Sequence, residues 1–345
     1  MLTVAIRTKV EHCTFDSMLN SDLSSIVYRY VAKHEENQAL EIWCSIFNNP
    51  VDLERRYFTP NASPYYKEGD TLGAWFNDKL LSTVHIRRFI LESNKDGRQY
   101  VCAGITNVTT RNEYRRRGLS RQLLQMTIGK FDQSNEFDMS ILGTGKAKHF
   151  ERFGWEQVTQ PIRIIIDWQM YTPSHENIQW RPVSNLSYED IELFCKIHSI
   201  HRRIYQMRRS PCSIFYHWVK RRWDKNSAIA YLYEDKGYVI IGNPESEEDI
   251  CVLEWRTSDV ILEQKLLSLA VNEIRQRYGL TKPIQLFALP QYMTIEQLAN
   301  WAGPVQVGTN YDIMMRNIRV PIEIYEEIKT SFSNGHAVFW SGDYF

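Results

Sequence analysis

The stretch YRRRGLSRQLL, residues 114–124, runs three consecutive arginines into a glycine and starts a helical pattern at the next residue. Leu119, Leu123 and Ile128 fall near one helical face. A helix N-terminus exposes unpaired N–H groups and a partial positive charge. Glycine at that point lets an anion approach the backbone, and arginines add charge-assisted donors of the right shape for phosphate. From these residues alone a solvated basic turn, a nucleic-acid contact and a pyrophosphate seat all remain open.

The surrounding chain narrows the choice. Lys plus Arg and Asp plus Glu number 41 each in 345 residues, so the net charge is zero. That argues against a dedicated nucleic-acid binder, whose domains are usually basic. Hydrophobic residues make up 43% and aromatics 13%, which suits a packed core with aromatic-lined pockets. The six cysteines include no CxxC pair and give no disulfide framework. The opening MLTVAIRTKVEHC lacks the apolar run of a signal peptide, and no stretch is long and apolar enough to suggest a membrane span. These features predict a cytoplasmic protein with no membrane partner.

Element signals alternate along the chain. Strands are predicted at 24–31, 99–110, 137–144 and 162–168, and a hairpin at 71–91 turning on Asn77-Asp78. Helices are predicted at 35–47, from Gly118 onward, and at 146–154, where Gly154 ends the turn. A loop rich in turn formers, 170–185, is the expected domain boundary. Beyond it helices are predicted at 187–206, 212–223 and 260–278, and strands at 227–234, 236–242, 250–256 and 283–288. A strand at 312–318 and a helix at 321–332 precede the aromatic ending AVFWSGDYF. The second half repeats the outline of the first, but VLEWRTSDVILEQ contains no arginine-glycine turn before its helix. The fold class expected is α/β (α+β) with a mixed sheet. Its domains are 1–170, 171–311 and a short tail, 312–345.

Two familiar phosphate motifs are absent. No GxGxxG follows a strand. ILGTGKA, residues 141–147, has Ser140 where a P-loop needs its first glycine and Ala147 where it needs Ser or Thr. By contrast, Arg115-Arg116-Arg117-Gly118-Leu119-Ser120 resembles the acyl-CoA loop of the GNAT acetyltransferases: Gln or Arg, two residues, Gly, one residue, then Gly or Ala. Ser120 departs mildly from the last position. The approach TNVTTRNEYRRRG, residues 106–118, is similar to that superfamily's fourth strand and exit turn. HFERFGWE, residues 149–156, resembles its second signature. More narrowly, the chain resembles the tandem-GNAT acetyltransferases of the enhanced-intracellular-survival type. RIYQMRRSPCSIFYHWVKRRW (203–223) is similar to the opening of their degenerate second domain, and DIMMRNIRVP (312–321) to the strand leading into their sterol-carrier-like third domain. Too few residues follow for most of that third domain.

The resemblance implies transfer of the acetyl group of acetyl-CoA, a co-substrate, to a small-molecule or peptide amine, with no metal. Arg115, Arg116, Arg117, Gly118, Leu119, Ser120 and Arg121 would cradle the pyrophosphate. Val108, Thr109 and Thr110 would hold the thioester oxygen by their backbone. Gly145, Lys146 and Phe150 would touch the cofactor. The family's acid is a tyrosine at the position of Phe150, which has no hydroxyl. His149 is the adjacent substitute, and the C-terminal carboxylate of Phe345 is the implied proton acceptor. Glu35, Glu36, Trp43 and Asp343 are candidates for the wall that receives an ammonium. His198 and His201 lie three apart on one predicted helix, but no further metal ligands are evident nearby. Transfer of a longer acyl group and non-catalytic acyl-CoA binding are the competing readings. The amine and a homo-oligomeric state stay open.

Overall fold

The computed structural model describes residues 25–170, 181–183, 186–225, 228–242, 250–279 and 283–343. In chain order, β1 (Val27–Tyr30), α1 (Glu36–Phe47) and the short α2 (Val51–Arg55) precede a meander of β2 (Thr71–Phe76), β3 (Lys79–Ser93) and β4 (Gln99–Thr110). Next, α3 (Leu119–Gln133) crosses over to β5 (Met139–Gly143), and α4 (Ala147–Glu151) leads to β6 (Glu156–Ile166). The second half opens with β7 (Arg181–Val183), α5 (Tyr188–Ile200), β8 (Tyr205–Met207) and a helical run of α6 (Cys212–Ile214), a π-helical segment (Phe215–Lys220) and α7 (Arg221–Lys225). It continues through β9 (Ile229–Tyr233), β10 (Gly237–Gly242), β11 (Cys251–Arg256), α8 (Val260–Tyr278), β12 (Ile284–Ala288) and α9 (Ile295–Ala302). It ends in β13 (Val305–Asn317) and α10 (Ile322–Ser333).

Among the described residues all thirteen strands join one mixed sheet, in the order β1-β2-β3-β4-β5-β13-β6-β12-β11-β10-β9-β7, with β8 on β3. The two ends mirror each other. β2, β3 and β4 are antiparallel neighbours, and β4 runs parallel to β5 through the α3 crossover. β9, β10 and β11 repeat this, and β11 runs parallel to β12 through α8. In the middle the halves exchange strands. β13, from the second half, pairs with β5, while β6, from the first, pairs with β12. β13 and β6 also pair with each other, so the sheet is continuous across the chain's midpoint.

Neighbouring residues on a strand point to opposite faces. Leu80 accordingly packs with Trp43, Leu40 and Tyr57 beneath α1 and α2, whereas Leu81, Val84 and Ile86 pack with Leu119, Leu123 and Phe131 beneath α3. The indole N–H of Trp43 donates to Thr83 Oγ1 at 2.8 Å and fixes α1 against β3. The β2–β3 hairpin turns on Asn77 and Asp78, both with positive φ, as the sequence predicts.

Several observed elements differ from the prediction. The helix predicted over 187–206 stops at Ile200, and Tyr205–Met207 becomes a strand instead. β2 pairs with β3 only through Lys79–His85, so Leu91–Ser93 retain a free edge that captures Tyr205–Met207. The strand predicted at 312–318 begins at Val305, where β6 offers partners from Ile162 to Ile166. Helix α9 has no counterpart in the prediction, although Thr294 and Gln297 form a capping box at its start. The expected boundary at 170–185 lies mostly outside the described residues.

A buried polar network ties the tail to the second half. Arg209 holds Glu254 with two hydrogen bonds, of 2.7 and 3.0 Å, and Asp343 with a third of 2.8 Å, while Tyr238 donates to Glu254. His198 Nδ1 accepts from Arg256 Nε at 3.3 Å and its Nε2 faces Met207 O at 3.2 Å. This is the bonding of a neutral imidazole, so Glu254, 3.8 Å away, is not its ion-pair partner.

Burial pushes both His198 and His85 down to about 3. Unfolded histidines protonate near pH 6.5, so between about 6.5 and 3 the unfolded chain binds the extra protons. Folded stability then falls as pH drops, at roughly 1.4 kcal/mol per pH unit for each histidine once it is fully engaged. Urea unfolding midpoints measured from pH 7.5 to 5 should decline, and H85Q should flatten the slope by about the share of one histidine.

Candidate active site

β4 and β5 part company early. Their parallel register covers Cys102–Met139, Ala103–Ser140 and Gly104–Ile141, yet β4 continues to Thr110 and β5 to Gly143. On its other edge β4 bulges: Thr109 faces Thr83 but Thr106 faces His85, with Asn107 at φ +48°. Thr83 Oγ1 donates to Asn107 O at 2.9 Å and Ser82 Oγ donates to Thr109 O at 2.6 Å, which clamps the bulge onto β3. Residues 105–110, including Val108, Thr109 and Thr110, therefore line one wall of a cleft of about 1510 Å³. A site for one drug-sized ligand usually occupies about 300–1,000 Å³, so two reactants fit side by side.

The arginine turn closes one end of this cleft. Arg116 has φ +65° and Gly118, the residue capping α3, has φ +81°. No side chain caps the first turn of α3, so its N–H groups stay available. A Cβ on Gly118 would meet no atom within 4 Å, so backbone conformation and access, not packing, call for glycine there. Arg115, Arg116, Leu119, Ser120, Arg121, Lys146 and Arg152 line the cleft around it. Arg117 and Gly145 do not. The Arg117 guanidinium lies 5.4 Å from the Tyr114 ring, and Gly145 is open on its surface.

The corresponding helix start in the second half is built differently. Asp259 caps α8 and its carboxylate accepts from Leu262 N at 2.9 Å, putting the chain's own anion where Gly118 leaves room for another. β11 and β12 also separate after Val252–Leu286, but Trp340 fills the space, packing 5.2 Å from the Trp255 ring and 6.1 Å from Phe287. Of these two helix starts, only that of α3 is left open.

Phe150 is buried with Leu119 and Trp155 and borders the cleft without a hydroxyl. His149 also lines the cleft. Burial first, then Arg152, Arg121 and Lys146, lower its pKa. These surroundings disfavour the imidazolium that an acid would need.

The other end of the cleft comes from residues for which the sequence carried no expectation. Glu54 on α2 is 3% exposed, and its oxygens accept from Asn49 Nδ2 at 2.7 Å and Asn107 Nδ2 at 3.0 Å. Tyr57 OH lies 3.5 Å from Thr106 Oγ1. Arg56, Trp218, Arg221, Arg222 and Gly342 complete this end. The usable signal was local: VDLERRYF, residues 51–58, concentrates charge after Asn49-Pro50, but nothing in it reveals the partner at Asn107. The acidic and aromatic candidates lie elsewhere. Glu35 pairs with Arg29, Glu36 accepts from Tyr66, Trp43 is committed to Thr83, and Asp343 is buried on Arg209. Phe345 lies outside the described residues. Among the described residues there is no group of three or more metal-ligating side chains, and no helix is long and apolar enough to cross a membrane.

Calorimetry with CoA should give one site per chain. G118V should weaken that binding at least tenfold, because a β-branched residue disfavours the φ of +81° on which the turn is built. It should lower stability by only about 1–2 kcal/mol, the strain of left-handed backbone.

Residues 27–158 match the family model of the acetyltransferase (GNAT) domain. No curated protein sequence matches the chain. Solved structures share its fold. A conserved protein of unknown function from Enterococcus faecalis superposes at TM-score 0.66 and 16% identity, covering 85% of this chain and 73% of that one. A GCN5-related N-acetyltransferase from Kribbella flavida follows at 0.62 and 18%, covering 87% and 74%. Eis1 from Mycobacterium abscessus stands at 0.58 and 16%, covering 85% and 73%. The open helix start at Gly118 and the splayed β4–β5 pair both fall within the residues that match the GNAT acetyltransferase domain model.

Proposed function

We propose that the protein moves the acetyl group of acetyl-CoA to a primary amine by direct attack in a ternary complex. The observation that supports this most is the continuity of the cleft. It joins the open start of α3, the unpaired edge of β4 and the buried carboxylate of Glu54. A phosphate at Gly118 sits on the α3 face of the sheet, and Glu54 sits on the α1–α2 face. The gap between β4 and β5 connects the two, so a thioester threaded through it would meet the amine beyond.

On this reading each part has a chemical task. The first turn of α3 and its arginines bind the pyrophosphate. Backbone groups of Val108–Thr110 face the thioester oxygen as it gains charge. The amine nitrogen forms the new C–N bond while the C–S bond breaks, and the amine's proton must leave to a base. Glu54 orients the ammonium before that step. The Phe345 carboxylate takes the proton, an assignment supported by Gly342, which already borders the cleft. Tyr57 offers a phenol beside the bulge for the departing thiolate, in place of the hydroxyl missing at Phe150.

Release of free CoA thiol in the presence of a panel of amines tests the reading. CoA binding with no thiol release for any amine would overturn it. E54Q keeps the shape but loses the charge, and should lower kcat/KM for the amine about 10–100-fold, mainly through KM. Deleting Phe345 should lower kcat by a similar factor with the acetyl-CoA KM unchanged. Y57F should cost about tenfold in kcat.

A further inference from the structure

The acceptor end of the cleft holds more positive charge than an amine substrate calls for. Eight Arg or Lys residues and two carboxylates border the whole cleft. Five of the cations surround the start of α3 and α4, where a nucleotide pyrophosphate is accommodated. The other three, Arg56, Arg221 and Arg222, stand at the opposite end with Glu54 and Asp224. Asp224 is already engaged by Lys220 Nζ at 2.7 Å. Arg56, Arg221 and Arg222 thus border the same end of the cleft as Glu54, and positive charge there disfavours an ammonium with no anion beside it.

Of these three, Arg56 is positioned rather than loose. The Trp218 ring lies between Arg56 and Arg87, each guanidinium carbon 3.7 Å from the ring centroid. The Trp218 indole N–H is itself fixed on Ala62 O at 2.6 Å. Arg56 makes one long hydrogen bond, Nη1 to His217 O at 3.4 Å, and its buried Nε has no partner among the described residues. Burial, with a smaller contribution from Arg221 and Arg222, pushes Arg56 down to about 10, so it remains charged at neutral pH. A preorganised guanidinium with spare donors is suited to a planar or tetrahedral oxyanion.

We infer that the acceptor carries a carboxylate or phosphate on the same small molecule as its amine, the anion held by Arg56, Arg221 and Arg222 and the amine by Glu54. This rests on the acyl-transfer reading for which end receives the acceptor. It favours an amino-acid-like or aminoalkyl-phosphate substrate over a polycationic amine.

The test uses the full-length protein and amine pairs that differ only in the anion: 3-aminopropanoate against 3-aminopropanamide, and phosphoethanolamine against ethanolamine. Longer homologues of each extend the series. Thiol release and calorimetric binding are both recorded. The expected result is a kcat/KM at least thirtyfold higher for the anionic member of one pair, with the favoured pair identifying carboxylate or phosphate. R56K, which keeps charge but not the fork, and R221Q/R222Q should each move that ratio toward one. A ratio near one in the unaltered protein, or spermidine outperforming every anionic amine, overturns the inference while leaving acyl transfer standing. Selective calorimetric binding of anionic amines without thiol release upholds the inference and overturns acyl transfer. Neither binding nor release overturns both.

Discussion

The gap between β4 and β5 is the feature on which the site depends, and it is held open from outside. β5 is fixed along its far edge by Ile313–Asn317 of β13, while its near edge follows β4 only as far as Ile141. β13 in turn is anchored on β6, and β6 on β12. On the opposite side, the Thr83 and Ser82 hydroxyls hold the β4 bulge against β3. Unpaired backbone groups are costly unless something satisfies them. A strand edge kept open by its neighbours on both sides is therefore a place prepared for a ligand.

The two halves show how little separates a usable seat from a closed one. Both have an antiparallel meander, a crossover helix and a parallel strand that soon diverges. In the first half the helix starts on a glycine and the gap stays empty. In the second, Asp259 satisfies the helix start and Trp340 packs the gap. The closed half has other work: its helical run carries Trp218, Arg221 and Arg222 to the open cleft, and its network of Arg209, Glu254 and Asp343 anchors the tail beside it.

Charge is divided along the cleft in a way that follows from this arrangement. The end at α3 and α4 carries five cations and no carboxylate. At the other end the buried Glu54 carboxylate shares the cleft with Arg56, which stacks on the Trp218 indole. Burial raises the strength of each such interaction and fixes its geometry. It also depresses His149, which makes that side chain a poor proton donor and shifts attention to the groups around Glu54 and Tyr57.

The sequence by itself determined most of the elements and the arginine-glycine turn that starts α3. An arginine-glycine turn between a strand and an amphipathic helix is a local pattern, set by helix-end electrostatics and glycine's backbone freedom, so it can be read from eleven residues. The hairpin at Asn77-Asp78 and the absence of the turn before α8 are legible for the same reason. What the linear pattern could not show was which distant segments meet. β13 entering the sheet between β5 and β6, Tyr205–Met207 taken from a helix onto the edge of β3, and Glu54 meeting Asn107 all depend on pairings between residues far apart in the chain. Glu35 and Glu36 were the glutamates singled out in the sequence, and Glu54 was not among them. Only packing places α2, and not the start of α1, over the bulge, because hydrogen bonding and burial between remote segments carry no periodic signature in the segments themselves.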